Sequence, residues 1–267
     1  MGNSNHVITV QNFFVNNHSF VFDDFLGNFS LIPIFQHFDV NSIHWALTKD
    51  WIQHNSTSDI CSECNSAYQA FKTKSLNYIL PCGDVLLKHY PNLYPDSGKP
   101  CPICSNHPET NNHLGFCANL IPFINSTLKN HKNILISFID SHTQKFYSLI
   151  LDSVNHYTLF DDVSGFSHEI YLILHQLVPQ SLYDLVNSFT FNMKSTHSII
   201  FEFFLPIQQI LYKTIWPQHN SLLRAWERTQ GIIKRKNDML DVLLRTVHLR
   251  PLLPISEPSR GGDSFTS

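Results

Sequence analysis

Cys101, Cys104, His113 and Cys117 stand at the spacing C-x2-C-x8-H-x3-C in the run CPICSNHPETNNHLGFC. Two cysteines separated by two residues form a turn that aims both sulfurs at one ion, and a His and a Cys four positions apart share a face of a helical turn. Thiolate and imidazole are the donors that zinc takes in tetrahedral geometry. A fourth protein ligand leaves no open position for water, so this set predicts a structural Zn2+ and not a catalytic one. His107 lies only three residues past Cys104, whereas the offset of His113 from Cys117 fits a helix, which makes His113 the expected imidazole.

The other cysteines leave alternatives open. Cys61 and Cys64 form a further C-x2-C pair, and Cys82 follows Pro81 in an apolar context. Cys61, Cys64 and Cys82 could serve a second ion with His54 or His89, and a rival set joins Cys61 and Cys64 to Cys101 and Cys104. Cys82 also suits a small buried core position. Paired cysteines in a chain whose start, MGNSNHVITV, shows neither a secretory leader nor a myristoylation motif predict metal binding in a reducing compartment, cytoplasmic or nuclear, rather than disulfides.

With 267 residues, 43% of them hydrophobic, the chain can bury a core, and a net charge of −3 with only 15% charged residues demands no polyanionic partner. The longest apolar stretch, Ile199 to Leu211, carries Glu202 and Pro206 and is too short to span a bilayer, so no membrane partner is expected. A nucleic-acid face would have to be local. Its candidates are Lys72, Lys74 and Lys88, with Lys99, before the metal motif, and Arg224, Arg228, Lys234, Arg235 and Lys236 near the end. On one face they would track an RNA or DNA backbone, with Phe71, Tyr78 and Tyr90 available for stacking; the alternative is solvated helix faces and core aromatics. The knuckle itself holds no Lys or Arg between Cys101 and Cys117, and three thiolates on a divalent ion leave a formal charge of about −1 that Glu109 increases, which repels phosphate.

Apolar periodicity sets the frame that must position these residues. It predicts helices over about 42–53 with Asn41 as N-cap, 65–80 ending at Pro81, a short one after Gly83, then 120–130, 134–153, 168–177, 181–190 and 198–215 ending before Pro217. A helix near 219–230 should close at Gly231, and a last one should span about 235–248. Strand signals are few. The expected fold class is mostly α, an irregular helical bundle stapled by one CCHC zinc site. The expected organisation is a poorly defined segment 1–40, a helical zinc-binding domain 41–131, a helical region 132–249 and a disordered tail 250–267.

From Phe71 to Cys117 the chain resembles the zinc-binding domain found C-terminal to the reverse transcriptase of non-LTR, LINE-type retrotransposons. In that family a basic, aromatic helix leads to a Leu-Pro turn, a short helix, C-P-x-C, an acidic-Thr step, H-L and a final Cys. Phe71, Lys72 and Lys74 match the first helix, Leu80 and Pro81 the turn, Asp84 to Leu87 the short helix, and Glu109 and Thr110 the step before His113 and Leu114. Trp226, Glu227, Thr229, Gln230 and Gly231 are also similar to the tail of some fungal retroelement proteins. The sequence departs from the family in H-x3-C, where H-x4-C is common, and in the added Cys61 and Cys64 pair.

The resemblance implies a non-catalytic accessory domain from a retroelement, with a polymerase as partner and at most weak RNA or DNA binding. A reverse-transcriptase turn needs Y/F-x-D-D, and both Val21-Phe22-Asp23-Asp24 and Leu159-Phe160-Asp161-Asp162 have an aliphatic residue in the first place. These read as Asp turns or caps. With no paired carboxylates for an RNase H site either, the chain is expected to be no enzyme and to have no small-molecule substrate. The competing expectation is a zinc-stapled helical scaffold for protein interaction.

Overall fold

The computed structural model describes residues 29–55, 63–95, 98–143 and 147–232. Among the described residues are ten α-helices and three short 3-10 turns, the helices being α1 (Ile32–Phe35), α2 (Trp45–Gln53), α3 (Glu63–Leu76), α4 (Gly83–His89), α5 (Asn111–Phe116), α6 (Ile121–Thr143), α7 (Tyr147–Asn155), α8 (Ile170–Leu174), α9 (Gln180–Thr190) and α10 (Met193–Thr229). No strand occurs among them, only isolated bridges between Ile43 and Pro179 and between Pro100 and Pro108. The fold is mostly α, as the periodicity predicts. The chain divides into two compact units, 1–223 and 224–267, and the metal motif and the helical core both belong to the first.

The core of that unit is built on α2, α6 and α10. α2 buries Leu47, Thr48, Trp51 and Ile52. Its cap is not Asn41, which lies in the 3-10 turn Val40–Ser42. The cap is His44, whose Nδ1 accepts from the amide of Leu47 at 3.0 Å, one of the four donors a helix start leaves unpaired. Trp51 is fully buried and its indole N–H donates to Gln176 Oε1 at 3.1 Å. Gln176 donates in turn to Gln208 Oε1 at 2.8 Å, and Gln208 reaches the Ile173 carbonyl. This relay gives the buried Trp51, Gln176 and Gln208 side chains polar partners inside the core.

Two expected helix breaks are absent. α6 runs unbroken through Asn130-His131-Lys132-Asn133, although that polar run reads as a gap. His131 is buried and its Nδ1 sits 2.7 Å from the Thr127 carbonyl, so it continues the stripe Ile124, Thr127, Leu128, Leu135, Ile139 at helical spacing. α6 is described as far as Thr143, and the next described helix begins at Tyr147. α10 likewise continues through Pro206 and Pro217. Ile199, Ile200, Phe203, Phe204, Ile207, Leu211 and Ile215 are all buried along it. Each such side chain contributes roughly 1.5–3 kcal/mol, and together they outweigh the roughly 3 kcal/mol an internal proline costs.

α3 ends at Leu76 rather than at Pro81, because Tyr78 takes a left-handed φ of 53°. α4 starts at Gly83 as expected. In the second unit Gly231 has a φ of +65° and its amide donates to the Arg228 carbonyl at 3.0 Å, the glycine termination the sequence predicts. The helix expected at 235–248, the tail 250–267 and most of 1–40 lie outside the described residues. No described helix is long and apolar enough to cross a membrane.

Candidate metal centre

A tight turn brings the first two ligands together. The Ser105 amide donates to the Cys101 carbonyl at 2.8 Å and Ser105 adopts a φ of 59°, so the chain reverses directly after Cys104. Flanking this loop, Cys101 N–H donates to the His107 carbonyl at 2.8 Å and Glu109 N–H to the Lys99 carbonyl at 2.8 Å. The loop thus closes on itself and delivers Thr110 to the start of α5. Thr110 caps that helix, its hydroxyl accepting from the amide of His113 at 3.0 Å. Cys117 lies at the other end of the same helix.

These constraints gather Cys101, Cys104, His113 and Cys117 so that their donor atoms all lie within 4.8 Å of one another. Cys101 and Cys117 sulfurs are 4.0 Å apart, and Cys104 Sγ is 3.3 Å from His113 Nε2. Zinc–sulfur bonds of about 2.3 Å and zinc–nitrogen bonds of about 2.0 Å place tetrahedral ligand atoms about 3.8 Å apart for two sulfurs and about 3.5 Å for sulfur and nitrogen. The pocket has the dimensions of a metal shell. His107, whose ring lies 5.3 Å from that of His113, is exposed and outside the group.

Backbone amides aim at all three sulfurs. Burial pushes the Cys101 thiol up, against donation from the amides of Cys104 and Ile103. Burial likewise pushes Cys117 up to about 12, against donation from the amide of Asn119. At Cys104 burial also acts upward, yet the amides of Asn106 and His107 and hydrogen bonds from the neighbouring sulfurs outweigh it and hold the thiol below the ordinary cysteine value. Amides directed at sulfur stabilise thiolates, and a nearby cation completes that stabilisation. Burial, aided by the charge of His107, lowers His113, which keeps its imidazole neutral and able to ligate.

The motif is fastened to the rest of its unit at three points. Asn111 holds the Leu-Pro turn, its amide Oδ1 accepting from Leu80 N–H and its Nδ2 donating to the Leu80 carbonyl, both at 3.2 Å. Glu109 is 3% exposed and forms an ion pair of 2.7 Å with Lys99, which is 2% exposed. Its other oxygen meets His219 of α10. Finally, a Cβ added at Gly115 would fall 2.4 Å from Leu174 Cδ1, so α5 lies directly against α8.

The basic candidates differ in burial. Lys74, Lys88, Arg224 and Arg228 are exposed. Lys72 is not a surface cation: it is fully buried, donates to the Trp51 and His54 carbonyls at 3.0 and 2.8 Å, and lies over the Trp51 ring. An aliphatic stem of that length suits a core position when backbone oxygens receive the ammonium. Lys99 is likewise enclosed, and because it neutralises Glu109 the latter adds no field against phosphate. Lys234, Arg235 and Lys236 lie outside the described residues, as does Cys61. Phe71 packs on Tyr212 and Trp216, Tyr78 stacks on His175, and Tyr90 is 46% exposed.

Cys64 is exposed and belongs to no donor group among the described residues, so Cys64, Cys101 and Cys104 are not brought together. Cys82 is instead grouped with Glu109 and His219, a set the sequence does not signal because His219 is distant in the chain. Asp161 and Asp162 are exposed at the end of the 3-10 turn Thr158–Phe160, and Asp162 pairs with Lys129 at 2.8 Å. The pair Asp23 and Asp24 lies outside the described residues. No protein-family model matches this chain, and neither a curated protein nor a solved structure does.

Proposed function

We propose that this chain is a non-catalytic, zinc-stapled accessory domain of a LINE-type retrotransposon protein. The observation that carries the metal is the gathering of the Cys101, Cys104, His113 and Cys117 donor atoms within 4.8 Å of one another, with amides directed at each sulfur. What supports the lineage is the order of parts around it: helix, Leu-Pro turn, short helix, C-P-x-C, Glu-Thr cap and H-L. The Glu-Thr step has a physical role in this order, since Thr110 caps the ligand helix and Glu109 anchors the loop. Zinc here pins α5 and the preceding loop, and a polymerase is the expected partner.

Direct grip on RNA or DNA is modest in this reading and falls to Lys74, Lys88, Arg224 and Arg228. The burial of Lys72 and Lys99 favours the second reading, a scaffold for protein interaction, because it removes two cations from the face next to the knuckle. Cobalt titration of the full chain tests the metal: a charge-transfer band with three-thiolate intensity is expected, and its loss in Cys101→Ser/Cys117→Ser. A chain that binds no thiolate-ligated metal overturns the reading. Binding to structured RNA at several salt concentrations separates the two functions, since phosphate contacts give a steep log–log slope and a protein scaffold gives none.

A further inference from the structure

We propose that Cys82, Glu109 and His219 form a second divalent-cation site, with zinc as its expected occupant. The three side chains come from separate segments: the residue before α4, the loop that closes the knuckle, and α10. They are 0%, 3% and 0% exposed, and their donor atoms lie within 4.8 Å of one another. A sulfur, a carboxylate oxygen and an imidazole nitrogen are a zinc set, whereas magnesium and calcium select oxygen ligands.

The neighbours are arranged as outer-shell groups. Lys99 holds Oε2 of Glu109 at 2.7 Å, while Oε1 is the oxygen that meets His219. One oxygen is therefore fixed by an ammonium and the other faces the cluster, the arrangement expected of a ligating carboxylate supported from behind. His219 Nδ1 is buried without a hydrogen-bond partner. Nε2, which meets Glu109 Oε1, is therefore the nitrogen that faces the cluster and would ligate, with the ring proton carried on Nδ1.

Loading balances simply. The thiol of Cys82 gives its proton to solvent and forms the metal–sulfur bond. The imidazole proton that faces Glu109 moves to Nδ1, and the freed nitrogen lone pair and Oε1 complete the three-ligand set. Cysteine and glutamate carry two negative charges against the ion's two positive ones, and Lys99 remains on Oε2.

Zinc titration of the metal-free full chain against a chromophoric chelator tests this. Two tight equivalents are expected in the unmodified chain, and one in Cys82→Ala and in His219→Gln, with the three-thiolate cobalt band at Cys101, Cys104 and Cys117 unchanged. A single equivalent in the unmodified chain, or two that persist in both variants, overturns the second site. Because the count on the unmodified chain decides the matter, a variant that fails to fold does not rescue it. Loss of the three-thiolate band in the unmodified chain would instead remove the first site, so the two failures are told apart.

Discussion

The knuckle around Cys101 and the helical core around Trp51 solve the same problem with opposite means. The core encloses Trp51, Leu47, Ile124, Leu128, Leu135, Phe203 and Phe204 and pairs Trp51, Gln176 and Gln208 in one relay of polar groups. The segment from Lys99 to Asn111 is a loop up to Thr110, and its buried residues are Lys99, Glu109, Asn111 and Cys101. Apolar burial at roughly 25 cal/mol per Å² can order the first. It has less to act on in the second, where shape is set by three backbone bonds, a threonine cap and the directions of three sulfurs. The expectation is therefore that the core keeps its order without the proposed metal and that the knuckle does not.

Removal of the proposed zinc is the strongest test of that contrast. Cys101→Ser/Cys117→Ser, or a strong chelator, should strip amide protection from residues 98–120 while the core amides of α6 and α10 stay protected, as hydrogen exchange would read. The melting temperature should fall by about 10 °C or more if the knuckle contributes to the cooperative unit. Equal loss of protection in both regions would break the distinction.

Trp51→Ala is the complementary injury. It removes a fully buried indole and leaves Gln176 Oε1 without its donor, so a loss of roughly 3–5 kcal/mol is expected in denaturant unfolding. Saturating zinc should not restore it. Between the two regions stands Gly115, where a methyl group would fall 2.4 Å from Leu174. Gly115→Ala should cost about 1–3 kcal/mol and weaken metal binding, and Leu174→Ala in the same chain should recover part of both, a coupling a double-mutant cycle would measure.

The sequence exposes the metal set more fully than the helices that carry it. C-x2-C and H-x3-C are local patterns whose geometry follows from one turn and one helical step, so Cys101, Cys104, His113 and Cys117 are legible together. The continuity of α6 is not, because His131 looks polar in sequence and is buried only through its bond to the Thr127 carbonyl. Pro217 misleads in a related way: local propensity signals an end, and the helix that the sequence already carries through Pro206 continues through Pro217 as well. Lys72 shows the converse, a cation assigned to the surface by its type and enclosed by Trp51, Tyr68 and two carbonyls. The grouping of Cys82 with Glu109 and His219 depends entirely on how α10 returns, which no local pattern encodes.

Lys72 gives a smaller, pH-dependent effect. Desolvation lowers its pKa to about 7, while the unfolded ammonium titrates near about 10.4. Below pH 7 both states are charged and the folded state bears the whole penalty. Between those values the unfolded chain binds more protons, so stability rises with pH and the penalty disappears above the unfolded value. Lys72→Met should accordingly stabilise the fold by about 1–2 kcal/mol at pH 6, with the advantage shrinking as the pH approaches 10. Unfolding curves of both proteins at three pH values would show it, and a pH-independent difference would mean that the two carbonyls and the aromatic rings keep the amine charged.

The smallest expected effect on stability is at Arg224 and Arg228, exposed residues one helical turn apart. Replacing either with Ala should change stability by less than about 0.5 kcal/mol, since neither removes a core contact or a buried pair. The same changes carry the sharpest information about function. If these cations meet phosphate, each substitution should lower the slope of log affinity against log salt by about 1, without altering sequence preference. An unchanged slope with RNA binding intact would place the contact on Lys74 and Lys88, and absence of any salt-dependent binding would favour the scaffold reading.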